Sequence, residues 1–215
     1  GVEDVDDGID QPVLVRGDPT EFGEPVPRRF FEVFGGTRQP FRRGSGRREL
    51  ADQIASSNNP LTARVMVNRI WHHLFGTGLV RSVDDFGRLG ELPSHPRLLD
   101  HLATTFVDDG WSVKQLIRRV VRSRTFRMSA RRQPAADSVD PLNRLLHHYP
   151  ARRLDAESIR DAVLAASGRI ELKLGGTSIY PHRDKPNADR RLFVGPLDGH
   201  GRRSLYIKTN LMEPT

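Results

Sequence analysis

The pattern of apolar positions is clearest between Asn59 and Phe86, where the sequence reads NPLTARVMVNRIWHHLFGTGLVRSVDDF. Asn59 is a suitable N-cap, Pro60 suits the first turn of a helix, and Gly76 can adopt a positive φ after the last turn. The pattern predicts a helix from Pro60 to about Phe75, followed by an acidic loop. Its apolar face recurs at spacings of three, four and seven and consists of Ala63, Val67, Ile70, Trp71 and Leu74.

Comparable apolar spacings predict five further helices. Most of them begin with a serine or aspartate whose side chain can accept an orphan backbone N–H group. Glycines or polar turns separate them. The predicted helices are 47–56, Ser94 to Gly110, one opened by the capping box of Ser112 and Gln115, one beginning at Asp140, and one capped by Asp155 and closed by Gly168.

The regions outside these helices are irregular, since the chain has 19 glycines and 15 prolines. A β-type run at Pro12 to Arg16 precedes a turn-rich arm, and two weak strand candidates lie at 170–174 and 204–208. The predicted fold class is mainly α: an irregular multi-helix domain with an N-terminal extended arm and one or two short strands near the C-terminus. We assign 1–46 to the arm and connector, 47–168 to the helical body and 169–215 to a loop-rich tail, within one domain.

Polar side chains form a row on the central helix at Arg64, Asn68 and His72. Because residues four apart stack on one helix face, this row is either solvated or pairs with the two aspartates just downstream as a structural clamp. The alternative is an enzyme site for an anionic substrate, in which the arginine holds the substrate and His95 or an aspartate is the acid or base. That alternative requires all the side chains to converge on one pocket. The candidate set is Arg64, Asn68, His72, Asp84, Asp85 and His95.

The net charge of +7 favours an anionic partner. Only four of the 34 basic residues are lysine, and clustered guanidinium groups bind carboxylate, sulfate or phosphate bidentately. GC-rich coding explains the same arginine excess without a ligand. The candidate anion-binding residues are Arg118, Arg119 and Arg122, with acidic polysaccharide or nucleic acid as the partner. Nucleic acid is disfavoured because no helix interleaves basic with aromatic residues.

Cofactor chemistry has little support in the sequence. The chain has no cysteine, which excludes disulfides, thiolate metal sites and covalent c-type haem attachment. The adjacent His72 and His73 project about 100° apart on a helix, so they do not form a metal site together. We therefore expect no metal and no cofactor in this chain. We also expect no membrane span, because no apolar run approaches the ~20 residues required.

Several segments of the chain carry a family resemblance. They are NPLTARVMVNRIWHHLFGTGLV (59–80), DDFGRLGELPSHPRLLDHLA (84–103), GWSVKQLIRRVVRS (110–123), DPLNRLL (140–146), RRLDAESIRDAVLAASG (152–168) and RRSLYI (202–207). Together they resemble the planctomycete-type domain of unknown function fifteen-fifty-three. This is a C-terminal module of secreted proteins that often also carry a cytochrome c-like domain. The earlier RGDPTEFGEPVPRRF (16–30) resembles the connector that precedes the module.

The resemblance implies a cellular setting but no reaction. It implies an extracytoplasmic location, periplasmic or secreted, and partner domains in the same polypeptide, one of which binds haem. Members of the family continue beyond the RRSLYI-like stretch with helical sequence, so we expect this chain to lack a C-terminal part of the domain. The function that we expect is a helical accessory or interaction module. The enzyme and the anion-binding module remain as alternatives.

Overall fold

The structure, a computed structural model, describes residues 8–34, 39–180 and 198–208. The chain divides into two compact units, Gly1–Ala151 and Arg152–Thr215. Six α-helices dominate the described residues, which confirms the predicted mainly α class, and none of these six could span a membrane. In chain order the elements are β1 (Gln11–Leu14), β2 (Phe22–Val26), α1 (Arg47–Ile54), α2 (Thr62–Phe75), α3 (Pro96–Asp108), α4 (Val113–Val121), α5 (Pro134–Val139) and α6 (Ala156–Ala166).

The N-terminal arm is a two-stranded hairpin followed by an anchored connector. Strands β1 and β2 pair in antiparallel register, with an irregularity between Pro12 and Leu14. The sequence predicted only the first strand, because the glycine and proline in β2 are typical of a turn. Arg28 fixes the end of the hairpin, since its Nε donates to Asp10 at 2.8 Å and its Nη1 donates to the Gly44 carbonyl at 3.0 Å.

The core of the first unit lies between α2, α3 and α4. Ala63, Val67 and Trp71 are buried as the apolar pattern predicted, and the other two members of that face are partly buried. Trp71 stacks on Phe75 with the ring centroids 4.2 Å apart. Burial of each large apolar side chain contributes ~1.5–3 kcal/mol, so α2 is the central structural element. Helices α3 and α4 add Leu99, Leu102, Ala103, Phe106, Leu116 and Val120.

Helix α2 begins two residues later than the sequence predicted. Asn59 Oδ1 accepts the N–H group of Leu61 at 3.0 Å, so Asn59 closes a turn ahead of the helix instead of capping it. Gly76 ends the helix as predicted. It has a φ of 81°, and its N–H group donates to the His72 carbonyl at 2.7 Å.

The stretch after α5 is the main departure from the predicted helices. Helix α5 itself occupies a region predicted to be loop, and the helix predicted to begin at Asp140 is a tight turn. The Asp140 carboxylate accepts the backbone N–H groups of Arg144 at 2.9 Å and Leu145 at 2.7 Å. Asn143 and Leu146 have positive φ angles of 50° and 55°, which interrupts any helix.

The second unit is organised around α6. Arg160 donates from Nη1 to the Arg202 carbonyl at 2.8 Å and from Nη2 to the Asp198 carbonyl at 2.7 Å. The N–H group of Ser204 donates to Asp161 Oδ1 at 2.7 Å. Neighbouring polar groups on one helix therefore hold the 198–208 segment in place through its backbone.

The predicted C-terminal strands are reduced to two isolated parallel bridges in the described residues, Glu171 with Arg202 and Ile179 with Ile207. Much of the predicted tail, 181–197 and 209–215, lies outside the described residues. The assignment of arm, helical body and tail to one domain stays a prediction.

Candidate functional site

Arg64 points to α3 and not to the acidic loop. Its Nε donates to Asp100 Oδ1 at 2.7 Å, and the two side chains are 36% and 56% exposed. The prediction that Arg64 reaches Asp84 and Asp85 is therefore wrong. The physical reason is direction: a helical side chain leans towards the N-terminus of its own helix. Arg64 is thereby carried away from the loop that follows the C-terminal end of α2.

Asn68 is a structural residue, fully buried at 0% exposure. Its Nδ2 donates to the Val80 carbonyl at 2.9 Å, and its Oδ1 accepts the Val80 N–H group at 2.9 Å. The side-chain amide thus satisfies both backbone groups of one buried loop residue, which are costly to leave unpaired. Gly78 packs against this contact, since a Cβ there would lie 2.8 Å from the amide atoms of Asn68. Asn68 is enclosed and has no surface for a ligand.

The acidic loop makes contacts of its own. Arg69 donates to Asp84 Oδ1 at 2.9 Å, so a clamp between helix and loop exists, but through the arginine next to the predicted row. Asp84 is 86% exposed, and an ion pair in water contributes about 0–1 kcal/mol. Asp85 Oδ1 accepts the N–H group of Gly87 at 2.8 Å and shapes the turn. Both aspartates therefore have structural partners within this region.

The two histidines of the candidate set lie in different surroundings. His72 has a buried Nδ1 with no hydrogen-bond partner in the described part of the chain. His95 Nδ1 lies 3.0 Å from Ser94 Oγ, at the residue just before α3. Within the described ranges, neither histidine is hydrogen-bonded or ion-paired to another member of the set. The set is not assembled by contacts, and a catalytic role for it stays a prediction.

The predicted anion-binding arginines line an open groove on α4. The groove has a volume of about 380 Å³ and is lined by Gln115, Arg118, Arg119, Arg122 and Ser123. Helix α4 buries Leu116 and Val120 and leaves all three arginines exposed, in agreement with its amphipathic pattern. The three arginines are exposed as the sequence predicted, and their role in binding anions stays a prediction.

The three arginines of the groove differ in their partners. Arg119 Nη2 donates to Asp109 Oδ2 at 2.9 Å, which neutralises part of its charge. Arg118 and Arg122 make no ion pair with any residue that the structure describes. They lie four residues apart and so project side by side from the last turns of the helix. Two adjacent guanidinium groups are available to an external anion.

A cluster of possible metal ligands forms elsewhere in the first unit. Asp137 on α5 lies close to His147 and His148, and one ligand atom from each lies within 4.8 Å of the others. The sequence analysis rejected His72 and His73 as a metal pair and did not single out this set. The adjacent His147 and His148 downstream of an aspartate were the available signal, but the turn that brings them together was predicted to be a helix.

A comparison with known protein families identifies the family of this chain. Residues 46–215 match the model of the family PSD1, described as a protein of unknown function (DUF1553). The chain belongs to this family. The match confirms the resemblance seen in the sequence. Neither a curated protein nor a solved structure matches the chain.

The region that matches the DUF1553 model contains every candidate site described above. The matched region begins one residue before α1 and includes the central helix, the arginine groove and the Asp–His cluster. The hairpin of β1 and β2 lies outside it. The description of the family names no reaction, so DUF1553 membership does not decide between a binding module and an enzyme.

Proposed function

We propose that this DUF1553 chain is a helical accessory module that binds an acidic polysaccharide through the α4 groove. The observation that carries the proposal is the pair of exposed guanidinium groups, Arg118 and Arg122, with no carboxylate partner in the described residues. The extracytoplasmic setting, and a cytochrome c-like domain elsewhere in the same polypeptide, are part of the proposal. They are supported by the family resemblance and not by geometry.

The chemistry of the groove suits repeated carboxylate or sulfate groups. A guanidinium group donates two parallel hydrogen bonds to such an anion, and an anion bridging neighbouring arginines is held by both. Arg119, already paired with Asp109, contributes a weaker positive charge beside them. The net charge of +7 adds a long-range attraction for a polyanion.

The lining of the groove favours a polysaccharide over a nucleic acid. Its side chains are arginine, glutamine and serine, with no aromatic ring among them. Single-stranded nucleic acids are bound through base stacking on aromatic side chains in addition to charge. A groove that offers hydrogen-bonding groups and positive charge without an aromatic ring fits the sugar hydroxyl and carboxylate groups of a uronic polymer better.

The alternative of an enzyme acting on an anionic substrate has less support. It required Arg64, Asn68 and the two aspartates to converge with a histidine on one pocket. Asn68 is fully enclosed by its contact with Val80, and Arg64 is held by Asp100. The set therefore lacks the shared open space that a substrate needs.

A binding measurement with a matched charge control tests the proposal. The intact chain is titrated with a polyuronate from about 50 to about 200 mM salt, where charge-driven affinity falls steeply. Replacing Arg118 and Arg122 by glutamine should weaken binding by roughly tenfold or more, which corresponds to about 1.4 kcal/mol, and should flatten the salt dependence. Replacing the exposed Arg88 and Arg97 instead removes the same charge outside the groove. Equal losses in both double variants would contradict the proposal.

A further inference from the structure

We propose that Asp137, His147 and His148 bind one divalent transition-metal ion of the zinc type. The inference is independent of the polysaccharide groove, because the two sites share no residue. The side chains of Asp137 and His147 are 22% and 16% exposed, so the cluster is sheltered but reachable from solvent. One ligand atom from each of the three residues lies within 4.8 Å of the others.

A hydrogen bond at Nε2 of His147 leaves its other ring nitrogen, Nδ1, facing His148. His147 Nε2 lies 3.1 Å from the Asp140 carbonyl oxygen, which can only accept, and 3.7 Å from Asp137 Oδ1. In a neutral imidazole the proton therefore resides on Nε2, and Nδ1 carries the lone pair. A metal-ligating histidine commonly donates its other N–H group to a carbonyl or carboxylate in this way.

The separation of the two imidazoles matches a shared metal ion. His147 Nδ1 and His148 Nδ1 lie 3.2 Å apart. Zinc–nitrogen bonds of about 2.0–2.1 Å at a tetrahedral angle place two nitrogen ligands about 3.3 Å apart. Without an ion, one of these nitrogens must be protonated and donate to the other. With an ion, both present lone pairs to it, and His148 carries its proton on Nε2.

The turn that carries the histidines is held rigidly, so the ligand positions are largely formed in advance. Asn143 Nδ2 donates to the His148 carbonyl at 2.9 Å. The hydroxyl of Tyr149 donates to the Leu74 carbonyl on α2 at 3.0 Å. The loop around Asp140 is closed by its own carboxylate. Because the backbone of the two histidines is already ordered, binding of an ion costs little further conformational entropy.

Asp137 is the proposed third ligand, and in this structure its carboxylate pairs with the guanidinium group of Arg132. Arg132 Nε donates to both of its carboxylate oxygens, at 3.1 and 3.2 Å. The Arg132 side chain is 62% exposed, so it can move into solvent when a metal ion takes the carboxylate. Two imidazoles and one carboxylate select zinc, copper or nickel over magnesium and calcium. Three protein ligands leave a fourth position for water or an external anion.

Isothermal titration of the intact, untagged chain with ZnCl₂ tests the site, with MgCl₂ as the comparison metal. We expect one zinc ion per chain and no magnesium binding. Asp137→Asn and His148→Gln should each weaken zinc binding at least tenfold, and Arg132→Gln should strengthen it. His101→Gln removes an exposed histidine elsewhere and should leave the affinity unchanged.

Cobalt spectroscopy of the wild-type chain keeps the test independent of variant folding. Co²⁺ in a tetrahedral or five-coordinate site gives visible absorption bands much stronger than those of the hydrated ion, and zinc should displace it. Equal zinc affinity in the wild type, Asp137→Asn and His148→Gln would overturn the site, as would a wild-type cobalt spectrum identical to that of the free ion. In either case the cluster is a hydrogen-bonded ion pair and nothing more.

Discussion

Replacing Asn68 by alanine is the sharpest test of the structure around the central helix. The change removes two hydrogen bonds, each 2.9 Å long, and leaves the buried N–H and carbonyl groups of Val80 without partners. Each unsatisfied buried group costs about 1–3 kcal/mol, so for the two groups we expect a loss of about 2–6 kcal/mol in the free energy of unfolding. Small domains have about 5–15 kcal/mol in total, so the variant should fold but be much less stable.

Urea denaturation at neutral pH measures this loss, through a lower midpoint at an unchanged slope. Asn58→Ala is the matched control, because Asn58 is exposed and makes no side-chain hydrogen bond in the described residues. That control should change the free energy of unfolding by less than about 0.5 kcal/mol. A loss below about 1 kcal/mol for Asn68→Ala would refute the assignment of Asn68 as a buried structural amide.

Three further predictions concern neighbouring contacts. Gly78→Ala should destabilise the chain by ~1–3 kcal/mol in the same urea assay, because its Cβ would lie 2.4 Å from the Val80 carbonyl oxygen. Arg64→Gln should cost less than about 1 kcal/mol, because its partner Asp100 is exposed; a larger loss would mean a buried role for Arg64. Burial raises the pKa of Asp161, but hydrogen bonds from Ser204 and nearby arginine charges outweigh it, so the pKa lies below its ordinary value. A carboxyl whose pKa is lowered on folding stabilises the fold above its unfolded pKa of about 3.9 and loses that contribution as pH falls further. The protection of the Ser204 amide, which is the intrinsic exchange rate divided by the observed rate at the same pH, should therefore fall below about pH 4 in the wild type and change little over that range in Asp161→Asn.

Local signals in the sequence predicted much of the helical framework. Ser112 caps α4 by accepting the N–H group of Gln115 at 3.4 Å, and Asp155 caps α6 by accepting that of Ser158 at 2.9 Å. Gly76 ends α2 at the predicted position, through its own N–H group and a positive φ angle. Each of these contacts joins residues within one helical turn, so residue type and spacing are sufficient to predict it.

Contacts between residues far apart in the sequence could not be predicted from residue type and local spacing. Arg64 and Asp100 are 36 residues apart, and their pairing depends on how α2 packs on α3. The turn after α5 was misread because Asp140 followed by proline is equally a helix start. Its carboxylate instead accepts two N–H groups four and five residues on. The Asp–His cluster depends on that turn, so it was missed for the same reason.

The proposed function is tested most directly by NMR of the arginine side chains during titration with an oligouronate. The Nε–H resonances of Arg118 and Arg122 should shift first and furthest, with smaller changes at Arg119, and these shifts should disappear as salt is raised. Shifts confined to Arg64 and Arg69 on α2, with the α4 resonances unchanged, would contradict the account and return the polar row of α2 to consideration as the binding site.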